Sequence, residues 1–310
     1  MRNKGWGTRS LRGIEEIELK RAVARKEISF SSRATHFEHW VKFCDYCKSK
    51  GIGRLENITS ESLIDYGRTL AEQSQQKQLS VAYAQNCVSS VNTIMRLIIG
   101  TQWKRISPTK DCGIGHRSFV RTTPPPTDKL IWEAIAALWN RPREKALVWL
   151  CFAFGLRSKE ASLLNIRQAI KEAEKEQQIT VIKGTKGGRK RIVRITNANQ
   201  IEALKFALSS IENSDLCLVP KHKTYKQWRE GDMRHAREIV KTVAQTTGLH
   251  ALRAAYACNR YQALSSFEAP VIKGKRSAPK LLDISTRQEI TEELGHSRLS
   301  VTNAYLGSSK

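Results

Sequence analysis

The chain has no long hydrophobic run. Its longest apolar stretch, ALVWLCFAFGL at 146–156, is eleven residues, which suits a buried helix and falls well short of the ~20 residues that a membrane span needs. The first 25 residues contain no apolar core of a secretory signal, so none is expected. Seven cysteines are scattered without framework spacing, an odd count that argues against a disulfide scaffold and for a reducing compartment. Acidic charge is scarce as well: 29 Asp and Glu stand against 53 Lys and Arg, a net charge of +24. Up to residue 130 the net charge is +10, and beyond it +14. Both halves are basic, which implies a large polyanion contacted along the molecule rather than a single basic tail.

One set of metal-ligand types needs weighing. THFEHWVKFCDYC supplies His36, His39, Cys44 and Cys47. The stretch reads as one helix, along which His36 and Cys47 would stand ~16 Å apart, too far to converge on a tetrahedral ion. Trp40, Phe43 and Cys47 share a face, so core packing is the expectation and no metal site is predicted.

The pattern along the chain predicts a mainly α fold with a small β-hairpin (α+β). Residues 1–27 read as a basic, partly helical lead. Residues 28–112 read as a helical domain with helices from about 31 to 50, from a capping signature at Thr59-x-x-Ser62 with Glu61 in the first turn, and over about 80–99. Residues 113–126, closing on Pro124, Pro125 and Pro126, read as a linker. Residues 127–310 form a second domain, opening on a helix capped by Thr127 or Asp128. Within it, ITVIKGTKGGRKRIVRI gives two β-branched runs joined by a glycine-containing turn, a hairpin, and helices resume after Asn197.

Candidate chemistry lies in the second domain. FGLRSKEASLL places Arg157 at the mouth of the buried helix with Glu160 one turn on, and the hairpin carries Lys186. GLHALRAAYA holds His250 and Arg253, three apart on one helical face, and ELGHSRLS is followed at nine positions from His296 by Tyr305. Singly these are ordinary: an Arg after Gly-Leu is usually a cap, one lysine among six cations a phosphate contact, a near-terminal tyrosine packing. Together they are the types that transfer of a phosphodiester to a protein phenol requires. Guanidiniums fork onto non-bridging oxygens, a nitrogen acid protonates the leaving oxygen, and tyrosine is a competent covalent nucleophile. The cations take on the electrostatic work of a metal, so neither metal nor other cofactor is expected.

In these motifs the chain resembles the tyrosine recombinases, or phage-type integrases. The matching residues are G-L-R-x-x-E at 155–160, K-G-x-x-K-R-x-V-x-I at 186–195, H-x-L-R at 250–253 and L-G-H-S-x-L-S-x-T-x-x-Y at 294–305. The resemblance implies a helical, SAM-like core-binding domain linked to a mixed catalytic domain, the two clamping double-stranded DNA at attachment or core sites. It implies a site-specific recombinase of a mobile element that cuts and rejoins DNA through a 3′-phosphotyrosyl intermediate, without metal or ATP. Tyr305 would be the nucleophile, Arg157 and Arg253 would hold the scissile phosphate, and Lys186 would protonate the 5′-oxygen. His250 would assist proton transfer, His296 would hydrogen-bond the phosphate, and Glu160 would support. A homotetramer on two DNA sites, an accessory DNA-bending or directionality factor, and a DNA-associated place in a bacterial cytoplasm, away from any membrane, are further implications. The rival readings are a relaxing enzyme like the type IB topoisomerases and a catalytically idle DNA-binding accessory protein.

Three features depart from the family pattern. Arg253 and His296 are 43 positions apart, and the excess lies near SSFEAPVIKGKRSAPKLLDIS. Residues 265–285 carry Lys273, Lys275, Arg276 and Lys280 between Pro270 and Pro279, and are expected to form an exposed basic loop contacting DNA or a neighbouring subunit. After Tyr305 only LGSSK follows, where many relatives continue into a helix that docks on a neighbour, and the short lead has no room for a separate arm-site domain. Lys183, Arg189, Lys190, Arg191 and Arg194 stand near Lys186 as substitutes for its role.

Overall fold

The computed structural model describes Trp6, Thr8 and residues 10–309, apart from the side chain of Ser31. It divides into two compact units, Met1–Ser118 and Phe119–Lys310.

The first unit is a bundle of four helices: α1 (Leu11–Ala24), α2 (Phe30–Ser49), α3 (Ser60–Gln75) and α4 (Val81–Ile99). The capping box at Thr59 and Ser62 starts α3, and Ser29 and Ser80 cap α2 and α4 by accepting backbone N–H bonds. Trp40, Phe43 and Cys47 of α2 are fully buried, facing Leu63 of α3 and Val88, Val91 and Ile94 of α4. The region read as a basic lead is part of this core. Ile14, Leu19 and Ala22 of α1 are fully buried, and the indole N–H of Trp40 donates to the Leu11 carbonyl at 3.0 Å. His36 and His39 each meet the Ser90 hydroxyl through Nδ1, at 3.0 and 2.7 Å, which gives both rings a partner inside the bundle. The segment read as a linker is divided. Ile114 is buried in the first unit, where the Gly115 carbonyl accepts from Gln85, and residues from Phe119 onward belong to the second.

The second unit is built around α6 (Pro142–Phe154), the apolar run seen in the sequence. It is hydrophobic on all sides and therefore buried on all sides, packing against α9 (Ala198–Ser209), α11 (Asp232–Val243) and α12 (His250–Ser265). Thr127 caps α5 (Asp128–Ala137). Between α6 and α9 run α7 (Ser158–Leu163), α8 (Ile166–Glu176) and the hairpin of β1 (Gln178–Val181) with β2 (Arg191–Arg194), antiparallel with Gln178 opposite Arg194 and Val181 opposite Arg191. A short helix α10 (Tyr225–Glu230) precedes α11, and the chain closes with α13 (Pro270–Lys273), α14 (Lys280–Glu293) and α15 (Asn303–Leu306).

The basic segment expected as a loop over 265–285 is loop only at 266–269 and 274–279. It contains the end of α12, all of α13 and the start of α14. Ala269, Val271 and Ala278 are buried, while Ile272, Lys273, Lys275 and Lys280 remain exposed. The two prolines that suggested a loop stand instead at helix starts, Pro270 in the first turn of α13 and Pro279 just before α14, where a missing N–H costs nothing.

Candidate active site

The site begins where α6 stops. Gly155 ends that helix at φ +58°, and a Cβ there would lie 2.4 Å from the Tyr256 ring, so the position needs glycine for both its backbone and its space. The turn delivers Arg157 to the start of α7 and aims the Gly155 carbonyl inward, where Arg253 Nη1 donates to it.

Glu160 is the centre of the charge arrangement. It is fully buried, and its oxygens take Arg157 Nη1 at 2.6 Å and Arg191 Nη2 at 2.6 Å, with the Arg157 backbone N–H at 2.8 Å and Arg253 Nη1 at 3.9 Å. Burial alone would push its carboxyl up, but the guanidiniums of Arg191 and Arg157 outweigh that and leave it below the usual carboxylate value. Three cations around one carboxylate leave an excess of positive charge in a low-dielectric place. Arg253, fully buried, is lowered by burial first and by Arg191 second. Arg157 is the cation that keeps an opening, its side chain 22% exposed.

The phenol of Tyr305 meets this group. Arg253 Nε donates to Tyr305 Oη at 3.3 Å, and His296 Nε2 lies 3.3 Å from the same oxygen and 3.3 Å from Arg253 Nη2. The second Nη2 contact of Arg253 is the Leu294 carbonyl, just before Gly295 and His296. His250, at the first position of α12, has its ring centroid 5.6 Å from that of Tyr305. Both imidazoles are held towards neutrality. Partial burial, then Arg253 and Arg157, push His296 down to about 4, and the same causes together with Arg121 lower His250.

Six residues singled out in the sequence, Arg157, Glu160, His250, Arg253, His296 and Tyr305, thus stand together. Lys186 does not join them. It lies exposed in the turn between β1 and β2, followed by Gly187 and Gly188 at φ +73° and +72°, and among the described residues no hydrogen bond or ion pair ties it to the cluster. The hairpin instead contributes Arg191, one of the cations that neighbour Lys186 in the sequence. It is 5% exposed, bound to Glu160 and donating to the Glu293 carbonyl. Strand alternation carried the signal: Arg191 and Val193 share the inward face of β2, Ile192 and Arg194 the outward one.

Comparison with known proteins bears on this arrangement. Residues 140–259 match the family model described as Integrase. Among curated protein sequences none matches the chain. Among solved structures, the XerH site-specific recombinase bound to palindromic difH substrate in a post-cleavage complex shares 18% identity, over 96% of this chain and 81% of its own, with a TM-score of 0.61. The Tn1549 transposon integrase in complex with transposon right end DNA shares 14% over 95% of each chain, at 0.59. A lambda integrase tetramer bound to a Holliday junction shares 11%, over 94% of this chain and 76% of its own, at 0.57. At these identities the structures establish a shared fold, and the motif-bearing second unit supplies the family match. Part of the second unit thus matches the integrase family model, and the chain shares the fold of the XerH recombinase and the Tn1549 integrase.

Proposed function

We propose that the protein is a site-specific DNA recombinase of a mobile element, which breaks and rejoins double-stranded DNA through a covalent bond to Tyr305. The observation that carries this reading is the placement of the Tyr305 hydroxyl 3.3 Å from both Arg253 Nε and His296 Nε2, beside a buried surplus of guanidinium charge. A phosphate entering this site would exchange the long contacts among Arg253, His296 and Tyr305 for charge-assisted bonds to its non-bridging oxygens, with Arg157 reaching it from the open side. Glu160 holds Arg157 and Arg191 in register and touches no substrate.

In the cleavage step the tyrosine oxygen attacks phosphorus and the bond to the 5′-oxygen breaks. The phenol proton passes towards the neutral imidazole of His250, and the departing oxygen takes a proton from Lys186. The product is a 3′-phosphotyrosine and a free 5′-hydroxyl. Attack by a 5′-hydroxyl of another strand reverses each step and releases the tyrosine, so no external energy source is needed. Lys186 reaches the cut only when the hairpin lies against DNA, which a turn containing two glycines permits. A tetramer on two DNA sites is the assembly that lets strands exchange, as in the lambda integrase tetramer on a Holliday junction, with an accessory DNA-bending or directionality factor setting the direction.

The test is a nicked duplex carrying the recombination site, on which cleavage traps the adduct because the short 5′-ended strand diffuses away. Wild-type protein should form an adduct stable to denaturant, in the presence of chelator as in its absence. Tyr305→Phe should bind the duplex with unchanged affinity and form none, since the phenyl ring packs alike but has no oxygen. Binding without an adduct in the wild type would make the protein an accessory binder. Adduct formation with relaxation of single-site plasmids, and no exchange between two sites, would make it a relaxing enzyme.

A further inference from the structure

The largest buried cation without a part in this scheme is Arg287, in the middle of α14 and 1% exposed. A guanidinium so placed must be both paired and hydrogen-bonded. Its Nε donates to the two oxygens of Asp283, one turn earlier, at 3.0 and 2.9 Å, and Asp283 also accepts from the Tyr261 hydroxyl at 2.7 Å. That pairing fixes and neutralises the cation within its own helix layer. The rest of the guanidinium faces the C-terminal segment. Nη1 donates to Thr302 Oγ1 at 3.4 Å, Asn303 Oδ1 at 3.0 Å and the Gly307 carbonyl at 3.3 Å, and Nη2 to the Ser308 carbonyl at 3.4 Å.

These acceptors bracket Tyr305, at three and two residues before it and two and three residues after. The helix that carries the tyrosine, α15, has only four residues, too few to stand by itself in water. Its geometry must come from outside. The Arg121 backbone N–H donates to the Asn303 carbonyl at 2.8 Å on one side. On the other, Gly307 lies at φ +81° so close to α13 that a Cβ would come within 2.8 Å of the Val271 nitrogen. Arg287 is the side chain that grips both ends of the turn at once.

We propose that Arg287, anchored by Asp283, is a positioning residue for Tyr305: it holds both flanks of the nucleophile, through side chains before it and backbone carbonyls after it, so that the phenol stands at Arg253 and His296 before DNA arrives. The segment from α13 to α14 is then the bed on which the reactive turn lies. The proposal rests on the reading of Tyr305 as nucleophile and adds to it a residue that touches neither DNA nor the reacting atoms.

Misplacement of a reacting group by about 1 Å can cost on the order of 10²-fold in rate. Arg287→Gln should therefore lower the rate of adduct formation on the nicked duplex by about 10²-fold, with duplex affinity unchanged. Arg287→Lys, which restores the charge opposite Asp283 but not the planar fork, should recover part of the loss. The separating measurement uses hydrogen peroxide as a small substitute nucleophile in the Tyr305→Phe background. Peroxide oxygen attacks phosphorus, the bond to the 5′-oxygen breaks, and that oxygen takes a proton as before. If Arg287 acts only through Tyr305, Tyr305→Phe and Tyr305→Phe/Arg287→Gln should cleave with peroxide at the same rate. A parallel fall in peroxide cleavage would show that Arg287 supports the whole site, and would overturn the proposal, as would wild-type adduct rates in Arg287→Gln. Should Arg287→Gln not fold, Asn303→Ala removes the shortest of the bonds to the flanks without disturbing α14. It should slow adduct formation several-fold while sparing peroxide cleavage, and an unchanged adduct rate there would equally overturn the proposal. Failure of the wild type itself to form an adduct would refute the nucleophile reading rather than the positioning role of Arg287.

Discussion

The two cationic regions of the second unit are built on opposite principles. Around Glu160, the guanidiniums of Arg157, Arg191 and Arg253 are packed to between 0 and 22% exposure and held by named acceptors. The hairpin turn thirty residues on carries Lys183, Lys186, Arg189 and Lys190, all exposed. The first region has already met the cost of gathering like charges, because each cation is fixed by a carboxylate or carbonyl before any phosphate is present. The second leaves its cations exposed to solvent. Under the proposed function, holding the phosphate would be pre-organised, whereas protonating the leaving oxygen would wait for substrate.

The sharpest way to break the comparison is at Lys186. General-acid catalysis is worth roughly 10²–10⁴ in rate, so Lys186→Ala should slow cleavage of ordinary DNA by about that factor. With the bridging 5′-oxygen replaced by sulfur, a leaving group that needs no proton, the variant should cleave nearly as fast as wild type. Rescue by sulfur in Lys183→Ala instead would move the acid three residues along the hairpin. If Lys186→Ala merely weakens binding and lowers the dependence of log affinity on log salt by about one, it is a phosphate contact. In either case its urea midpoint should match wild type, because the side chain is exposed and unpaired with the cluster.

Glu160 should show the reverse behaviour. Removing one partner of a buried ion network leaves uncompensated charge and costs about 3–5 kcal/mol. Glu160→Ala strands Arg191, which is 3% exposed at its side chain, and Arg253, which is fully buried. A large fall in the urea midpoint is therefore expected, read from probes in the second unit. A loss under about 1 kcal/mol, the range of exposed ion pairs, would mean that the cluster is wetter than its burial indicates, and the contrast with the hairpin would shrink.

The same contrast explains what was legible in the sequence. Arg157 with Glu160, His250 with Arg253, and the Leu-Gly-His to Tyr305 stretch are patterns of a dozen residues or fewer, and the structure gathers them. What the sequence reading lacked was long-range. Arg191 meets Glu160, 31 positions away, and composition cannot single it out among its neighbouring cations; only the inward register of β2 marks it. Pro270, Pro279 and the cations between them point to a loop over 265–285, and nothing local marks Ala269, Val271 and Ala278 as buried. The basic lead is a similar case: Ile14, Leu19 and Ala22 pack with α2 and α4, while the charges between them dominate the local composition. Arg287 carries an i,i+4 partner in Asp283, a signal normally read as a solvated helix pair, and only burial reveals its reach to the C-terminal turn.

The smallest expected effect tests the pre-organised side alone. The imidazole of His296 is pushed down to about 4 by burial and the three arginines, against an ordinary value of 6.5. Between those values the unfolded chain binds a proton that the folded chain refuses, so stability rises with pH across the window and falls as pH drops from about 6.5 towards 4. His250, lowered for similar reasons, adds to the same slope. His296→Gln should flatten the plot of denaturation midpoint against pH in this range, leaving the part due to His250. Bound DNA should flatten it as well in the wild type, since a phosphate anion lying against the cluster favours the imidazolium and lifts His296 back towards its ordinary value. Non-specific polyanion that neutralises only the exposed hairpin should leave the slope as it is. A slope that responds equally to both would show that the buried cluster and the hairpin are not electrostatically separate after all.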